Sequence, residues 1–511
     1  MKKALLILLA LVMVFSLAAC GADNSGTSNT PSGGDSAKPV EISVANNIVP
    51  NGLDPLTEDA AHNYAITYCI YDRLVSCDVA TNEWIPAIAK SWEQVDATTW
   101  KFDINLDYKF QNGEQLTMDD VLYSFERLKD FPKQADAVAS VDSYKVDGTT
   151  FTVKFKTDSL VAPSRLITTT IIVNKAYCEA NGDAAIYTNP IGTGPWKITE
   201  FTPGATATVE TWEGYPFEKP QIDIIHFKAI AESSTRYVAL ETGDVQFIGY
   251  ISALEYDLAK DNADLEVGNA NSRRSFSICF NCEEGPFTNA NLRKAISYAI
   301  DRESWSQLAG GQRVPITSML FYGYDNLYAE SSKMPTYDIN KAKELLEAEG
   351  INPSNPLSLE LICVEAEPGL DMYASILQPL GVNLNVTILE HSVYLQREGA
   401  GEFDICYPAQ ANRANTALTD LDRFDPDLIG SRVLARYTNA RVKELIEAIR
   451  VEKDEAKIKE MAAEINDIVA EDCAWTSVFL SPMLFAFDKG LSGVTVDGFQ
   501  TQNYRNATYN P

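Results

Sequence analysis

Phe110-Gln111-Asn112-Gly113-Glu114-Gln115-Leu116-Thr117-Met118-Asp119-Asp120-Val121 sets a glycine turn directly before a helix start. Thr117 and Asp120, three residues apart, form a capping-box pair, and Val121, Leu122, Phe125 and Leu128 then fall on one helical stripe. On either side the period drops to two. Trp100, Phe102, Ile104 and Leu106 alternate with polar residues, as do Phe151, Val153 and Phe155, the pattern of half-buried strands. Helical stripes recur downstream. Leu292, Ala295, Ile296 and Ala299 follow Thr288, while Ala342, Leu345 and Leu346 follow a cap at Asp338 and stop before Gly350. Val442, Leu445, Ile446 and Ile449, then Ile458, Met461, Ile465 and Ile468, repeat the pattern. The chain reads as mixed α/β.

A chain of 511 residues exceeds what one hydrophobic core serves, so two or three domains are expected. Its formal charge of −29 argues against nucleic acid as a partner and against electrostatic adhesion to anionic headgroups. The same acidity mildly favours cationic ligands.

The N-terminus reads as a lipoprotein signal peptide, residues 1–20. Lys2 and Lys3 precede an apolar run from Ala4 to Phe15, and Leu17-Ala18-Ala19-Cys20-Gly21 closes it as a lipobox. Cys20 is the expected lipidation site, which would place the protein outside the cytoplasm, lipid-anchored to the bacterial cell membrane. Residues 21–39, rich in Gly, Ser, Asn, Thr and Asp, are expected to form a flexible tether, with the folded body starting near Val40. No later segment reads as a membrane span.

Eight further cysteines are scattered singly through the chain and read mostly as small buried apolar residues. Cys279 and Cys282 lie three apart in an apparent strand, Ser275 to Asn281, and no second Cys or His pair completes four ligands, so no metal site is expected. No nucleophile elbow, zinc helix, phosphate loop or nicotinamide fingerprint occurs, and no cofactor is expected. His62, His226 and His391 are the only histidines, each more simply a structural hydrogen-bonding residue than a base. Asp420-Leu421-Asp422-Arg423-Phe424-Asp425-Pro426-Asp427 lacks the glycine and terminal glutamate of a calcium loop and is expected to be a solvated turn. The chain is expected not to be an enzyme.

Several loop-and-strand motifs span the body. Ile85-Pro86-Ala87-Ile88-Ala89-Lys90-Ser91-Trp92-Glu93 leads through Trp100-Lys101-Phe102 to the opening segment. Pro190-Ile191-Gly192-Thr193-Gly194-Pro195-Trp196-Lys197-Ile198 follows, then Phe280-Asn281 and Asn291-Leu292-Arg293-Lys294-Ala295-Ile296-Ser297-Tyr298-Ala299-Ile300-Asp301-Arg302. With Leu53-Asp54-Pro55, Ala342-Lys343-Glu344-Leu345-Leu346, and Leu380-Gly381-Val382 ahead of Phe403-Asp404, these motifs closely resemble extracytoplasmic solute-binding proteins of peptide-type ABC importers. The resemblance covers nearly the whole chain after the tether. Gly192 and Gly194 are expected to supply positive φ and close backbone approach, not a phosphate cradle.

The resemblance implies a two-lobed periplasmic-binding-protein-like α/β fold, with a hinge between lobes and the ligand enclosed between them. It implies a discontinuous domain I from residues 40–82, 187–274 and 484–511, an inserted domain II at 83–186, and domain III at 275–483. The crossings between lobes would fall near Arg274 and Met483.

At the cargo positions the chain departs from the resembled pattern. Where peptide-binding relatives place an acid for the ligand's amine, a gapless match puts Arg413, and Asp420 or Asp422 takes that role if a gap is allowed. His391 stands where a tryptophan often follows the residue matching Glu390, and Glu365 and Glu367 replace bases ahead of Leu380. Asn51, Gly52, Glu365, Glu367, Tyr407, Gln410 and Arg413 are the candidate ligand contacts. The expected function is capture of peptides or a related small solute and delivery to an ABC permease with its ATPase subunits, by a monomer. A peptide-sensing receptor and a surface hydrolase on the same scaffold are the alternatives.

Overall fold

The computed structural model describes residues 38–511 apart from 58–60, 78–82, 132–137, 157–169, 271–273, 319–329, 412–416, 431–432 and 499. Cys20 with its lipobox, most of the 21–39 tether, and Arg413 therefore lie outside the described residues. Among those described, no helix is long and apolar enough to cross a membrane.

The capping box that opens the sequence forms as read. Thr117 Oγ1 accepts from the Asp120 N–H at 3.3 Å and Asp120 Oδ2 accepts from the Thr117 N–H at 2.9 Å, which starts the helix Met118–Arg127. Its buried stripe packs on a four-stranded antiparallel sheet, in the order Ala89–Asp96, Thr99–Ile104, Thr150–Phe155, Val141–Asp147. Phe125 meets Phe151 edge-on, ring centroids 5.1 Å apart, and this aromatic contact locks helix to sheet.

Two larger sheets carry the rest. The first runs Leu265–Ala270, Met483–Asp488, Phe247–Gly249, Glu41–Asn46, Ile224–Ala229, Thr206–Thr211, Trp196–Thr202. The second runs Val314–Pro315, Trp475–Leu480, Arg274–Phe280, Ile405–Cys406, Leu357–Cys363, Val382–Ile388, with Ala409–Ala411 also paired to Arg274–Phe280. The chain passes between these sheets twice, from Ala270 to Arg274 and from Leu480 to Met483. The crossings are bonded to each other, since the Ser481 N–H donates to the Arg274 carbonyl at 3.0 Å.

Strand direction fixes what surrounds the crossings. Leu357–Cys363 runs parallel to Val382–Ile388 and to Ile405–Cys406, and the last is antiparallel to Arg274–Phe280. All three therefore end on the side where residue 274 enters. In the first sheet Glu41–Asn46 is parallel to Ile224–Ala229 and Phe247–Gly249, while Met483–Asp488 opposes Phe247–Gly249 and Leu265–Ala270. Their carboxyl ends gather where residue 483 begins. Both sheets thus turn carboxyl edges to the crossings, the place where open α/β sheets bind ligands.

Two expectations change. Gly192 and Gly194 are not at positive φ. They are glycine because a Cβ at Gly192 would come 2.1 Å from the Ile70 carbonyl oxygen, and one at Gly194 2.4 Å from that of Cys69. The acidic run 420–427 is not a solvated turn: it folds as two 3-10 turns, Ala417–Phe424 and Pro426–Leu428, with Asp420 and Asp425 buried. Arg423 Nη2 sits 3.3 Å from Asp420 and Arg450 Nη2 2.6 Å from Asp425, so cations from this turn and from a later helix end hold charges that periodicity alone assigns to solvent. The helix after Thr288 begins at Ala290, where Asn289 accepts from the Asn291 N–H and caps it. Asp338 does cap Ile339–Ala348. All eight described cysteines are free thiols, six of them buried, and no described cluster of three or more His, Cys, Asp or Glu could hold a metal.

Candidate functional site

The carboxyl edge of the second sheet collects most of the candidate contacts. Glu365 and Glu367 follow Leu357–Cys363, and Tyr407 and Gln410 follow Ile405–Cys406, with Gln410 in register beside Ser275. Glu365 is exposed and Gln410 half-buried. Glu367 is turned inward: its Oε1 accepts from the Trp305 indole N–H at 3.2 Å, its Oε2 lies 2.8 Å from Arg313 Nη1, and its side chain caps the helix Pro368–Leu377. Gly369 is needed beside it, since a Cβ there would fall 1.8 Å from the Trp305 indole nitrogen.

Tyr407 is buried in an aromatic stack, its ring 5.7 Å from Trp305 and 5.4 Å from Phe276. Two guanidiniums flank Phe276, Arg274 at 5.0 Å and Arg313 at 5.7 Å from the ring centre, and Arg313 also lies 4.3 Å over Phe479. Burial, then the nearby Glu367 charge, pushes the Tyr407 hydroxyl well above its ordinary value, with Arg313 opposing. It remains a neutral donor.

The other candidates scatter. Gly52 packs under the Tyr187 ring, where a Cβ would come within 1.9 Å, and Asn51 is exposed with its Oδ1 beside Gly204. Both sit on the loop after Glu41–Asn46, at the carboxyl edge of the first sheet. Glu390 caps His391–Ala400 and His391 is exposed at that helix's first position. Asp420 and Asp422 pair with Arg423 and Arg450, both at 3.3 Å.

Sequence reading missed Arg313, Trp305 and a buried amide pair. Asn46, ending its first-sheet strand, and Gln502, in the C-terminal strand Gln502–Asn503, exchange side-chain bonds at 3.1 and 2.9 Å. Exposed apolar side chains stand at both carboxyl edges, Ile48 on one and Ile388 with Val393 on the other, as a small-molecule cleft requires. The halves touch at the rim: a Cβ on Gly310, φ 82°, would meet the Ala253 Cβ at 2.2 Å. Arg313 could have been suspected only as the base following the Gly310-Gly311 turn.

Residues 83–427 match the family described as bacterial extracellular solute-binding proteins, family 5, middle. The chain belongs to this family. It is 24% identical to the dipeptide-binding protein of Escherichia coli (strain K12) over 395 residues, 69% of this chain and 72% of that protein. It is 26% identical over 472 residues to a probable D,D-dipeptide-binding periplasmic protein of the same organism, covering 87% and 89%. The structure of a dipeptide-binding protein from Pseudoalteromonas sp. SM9913 in complex with Met-Leu superposes with a TM-score of 0.83 at 18% identity, over 92% of this chain and all of that one. That likeness establishes the two-lobed fold, and membership of the family establishes an extracytoplasmic solute-binding role.

Proposed function

We propose that this protein captures peptides or closely related small solutes between its two lobes and hands them to an ABC permease with its ATPase subunits, without chemistry of its own. The observation that carries this reading is the pair of carboxyl edges gathered at two bonded crossings, with exposed apolar side chains on both. The dipeptide-binding names of the relatives support peptides as the class.

The three main sheets support a proposed division into three domains. Domain I comprises 40–82, 187–274 and 484–511, domain II 83–186, and domain III 275–483. The lipobox supports anchoring through Cys20, and a monomer satisfies the geometry because each chain encloses its own ligand.

Native mass spectrometry of the purified protein, followed by calorimetry with peptides of two to five residues, tests the function. A binding peptide is expected to compact the particle in small-angle scattering and raise its melting temperature, since a ligand at a hundredfold excess over Kd adds about 2.7 kcal/mol. Turnover of a bound peptide, or tight binding with an unchanged scattering curve, would refute it.

A further inference from the structure

Cys279 and Cys406 are register partners on neighbouring antiparallel strands, both fully buried and both free thiols. Cys77 lies opposite Trp84 and Cys363 opposite Ile388, so no other described strand cysteines meet across a ladder. Residues directly opposed on an antiparallel pair point to the same face, and both thiols enter the same core cluster.

The kind of pair decides whether the sulfurs can be joined. The Asn281 N–H donates to the Asp404 carbonyl at 3.0 Å. Opposed pairs alternate between hydrogen-bonded and non-bonded, so the pair of Cys279 with Cys406, two positions away, is also of the hydrogen-bonded kind, with Cα atoms about 5.5 Å apart. Disulfides most often span Cα separations of about 5.5–6 Å. A bond between these sulfurs therefore needs side-chain rotation and little movement of the strands.

Its position bears on the ligand edge. Arg274–Phe280 pairs with Ile405–Cys406 and again with Ala409–Ala411, but not with Tyr407 and Pro408 between them. Proline has no N–H to give to a ladder, so the segment that carries Tyr407 and Gln410 is held by two short stretches of pairing. Cys406 is the last residue before the gap. Burial is the largest cause holding both thiols above their ordinary range, which makes them poor nucleophiles in the folded chain. The bond has to form while Ile405–Cys406 is still open to solvent.

We propose that Cys279 and Cys406 form a disulfide as the exported chain folds, a redox-dependent clasp that fixes the ligand edge of the second lobe to the strand entering from the first crossing. Each thiol gives up a proton and an electron, one S–S bond forms, and an external disulfide takes up both protons and both electrons as its own S–S bond breaks into two thiols. The proposal rests only on the extracytoplasmic location, where such oxidants persist. The clasp closes the chain from 279 to 406 into a loop, which restricts the unfolded state, and it reinforces the ladder where Pro408 interrupts it.

The full chain, exported by a bacterial host and purified without reductant, is denatured in iodoacetamide and mapped by peptide mass spectrometry. Cys279 and Cys406 are expected to escape alkylation and to appear in one linked peptide pair. Reduction with a phosphine is expected to free both thiols, lower the melting temperature by ~5 °C or more, and speed amide exchange across residues 405–411 by at least ~10-fold. Cys279→Ala and Cys406→Ala are each expected to melt near the reduced wild type and to lose the response to reductant. Should both variants fail to fold, the wild-type map and its melting shift still decide. Alkylation of both thiols in the exported protein, a link from either to another cysteine, or a melting temperature that ignores reductant would overturn the proposal.

Discussion

Tyr250 and Gln500 both hold left-handed backbone, φ 55° and 67°, and the Tyr250 hydroxyl donates to the Gln500 carbonyl at 3.3 Å. Gln500 Nε2 in turn donates to the Ser481 carbonyl at 3.0 Å, and the Ser481 N–H bonds Arg274. A strained pair in the first lobe is therefore tied to both crossings. Strain of this kind persists where surrounding structure over-determines it.

Replacing Gln500 separates strain from bonding. Gln500→Ala keeps the unfavourable φ and loses the bond to Ser481, whereas Gln500→Gly loses the same bond but relieves the backbone. Urea melts are expected to rank the glycine variant above the alanine variant by about 1 kcal/mol, the reverse of their usual order. The opposite ranking would show that the left-handed residue carries no strain.

Gly310 sets how closely the lobes approach. An alanine there would be strained at φ 82° and would collide with Ala253. Gly310→Ala is expected to weaken binding of any peptide the wild type takes by ~10-fold or more, because strain of about 1–2 kcal/mol adds to a collision at the rim. Small-angle scattering of the variant with peptide checks it, and a wild-type compaction would contradict it.

Arg127 and Asp54 form a buried ion pair at 2.5 Å that ties the Leu53-Asp54-Pro55 loop to the helix Met118–Arg127. Removing one partner leaves a buried charge, so Asp54→Asn is expected to lose about 3–5 kcal/mol in chemical denaturation. Asp54→Asn with Arg127→Met is expected to lose less than the two single changes added together.

Glu398 makes stability depend on pH. Burial is the largest cause raising its carboxyl from 4.5 to about 7, and the bond from the Tyr394 hydroxyl, 2.6 Å, opposes it. The folded protein keeps this proton to about pH 7, while the unfolded chain releases it near 4.5. Between these values rising pH therefore favours unfolding: the stabilisation is full below the lower value and gone above the upper one. Glu398→Gln is expected to flatten that slope and to exceed the wild type at pH 8 by on the order of 2–3 kcal/mol. Parallel slopes for the two proteins in denaturation at pH 5, 6 and 8 would count against it.

Much of the architecture was open to reading without coordinates, because caps and hydrophobic periods are local. Thr117 with Asp120 starts a helix whatever surrounds it, and the buried faces of Ala440–Ile449 and Glu455–Asp472 follow their 3.6-residue spacing. The candidate site was legible only as positions. Glu365, Glu367, Tyr407 and Gln410 do gather at one sheet edge, while Gly52 fills a packing role that its sequence neighbours do not signal.

By itself, then, the sequence determined the element types, the caps and the family resemblance, since each depends on residues a few positions apart. Only the tertiary structure decided which charges are already committed within the fold. Glu367 faces Arg313, Asp425 faces Arg450 and Asp54 faces Arg127 because strand order and crossings bring remote segments together. A carboxylate's partner is a matter of through-space distance in a low-dielectric interior, and no period along the chain encodes that distance.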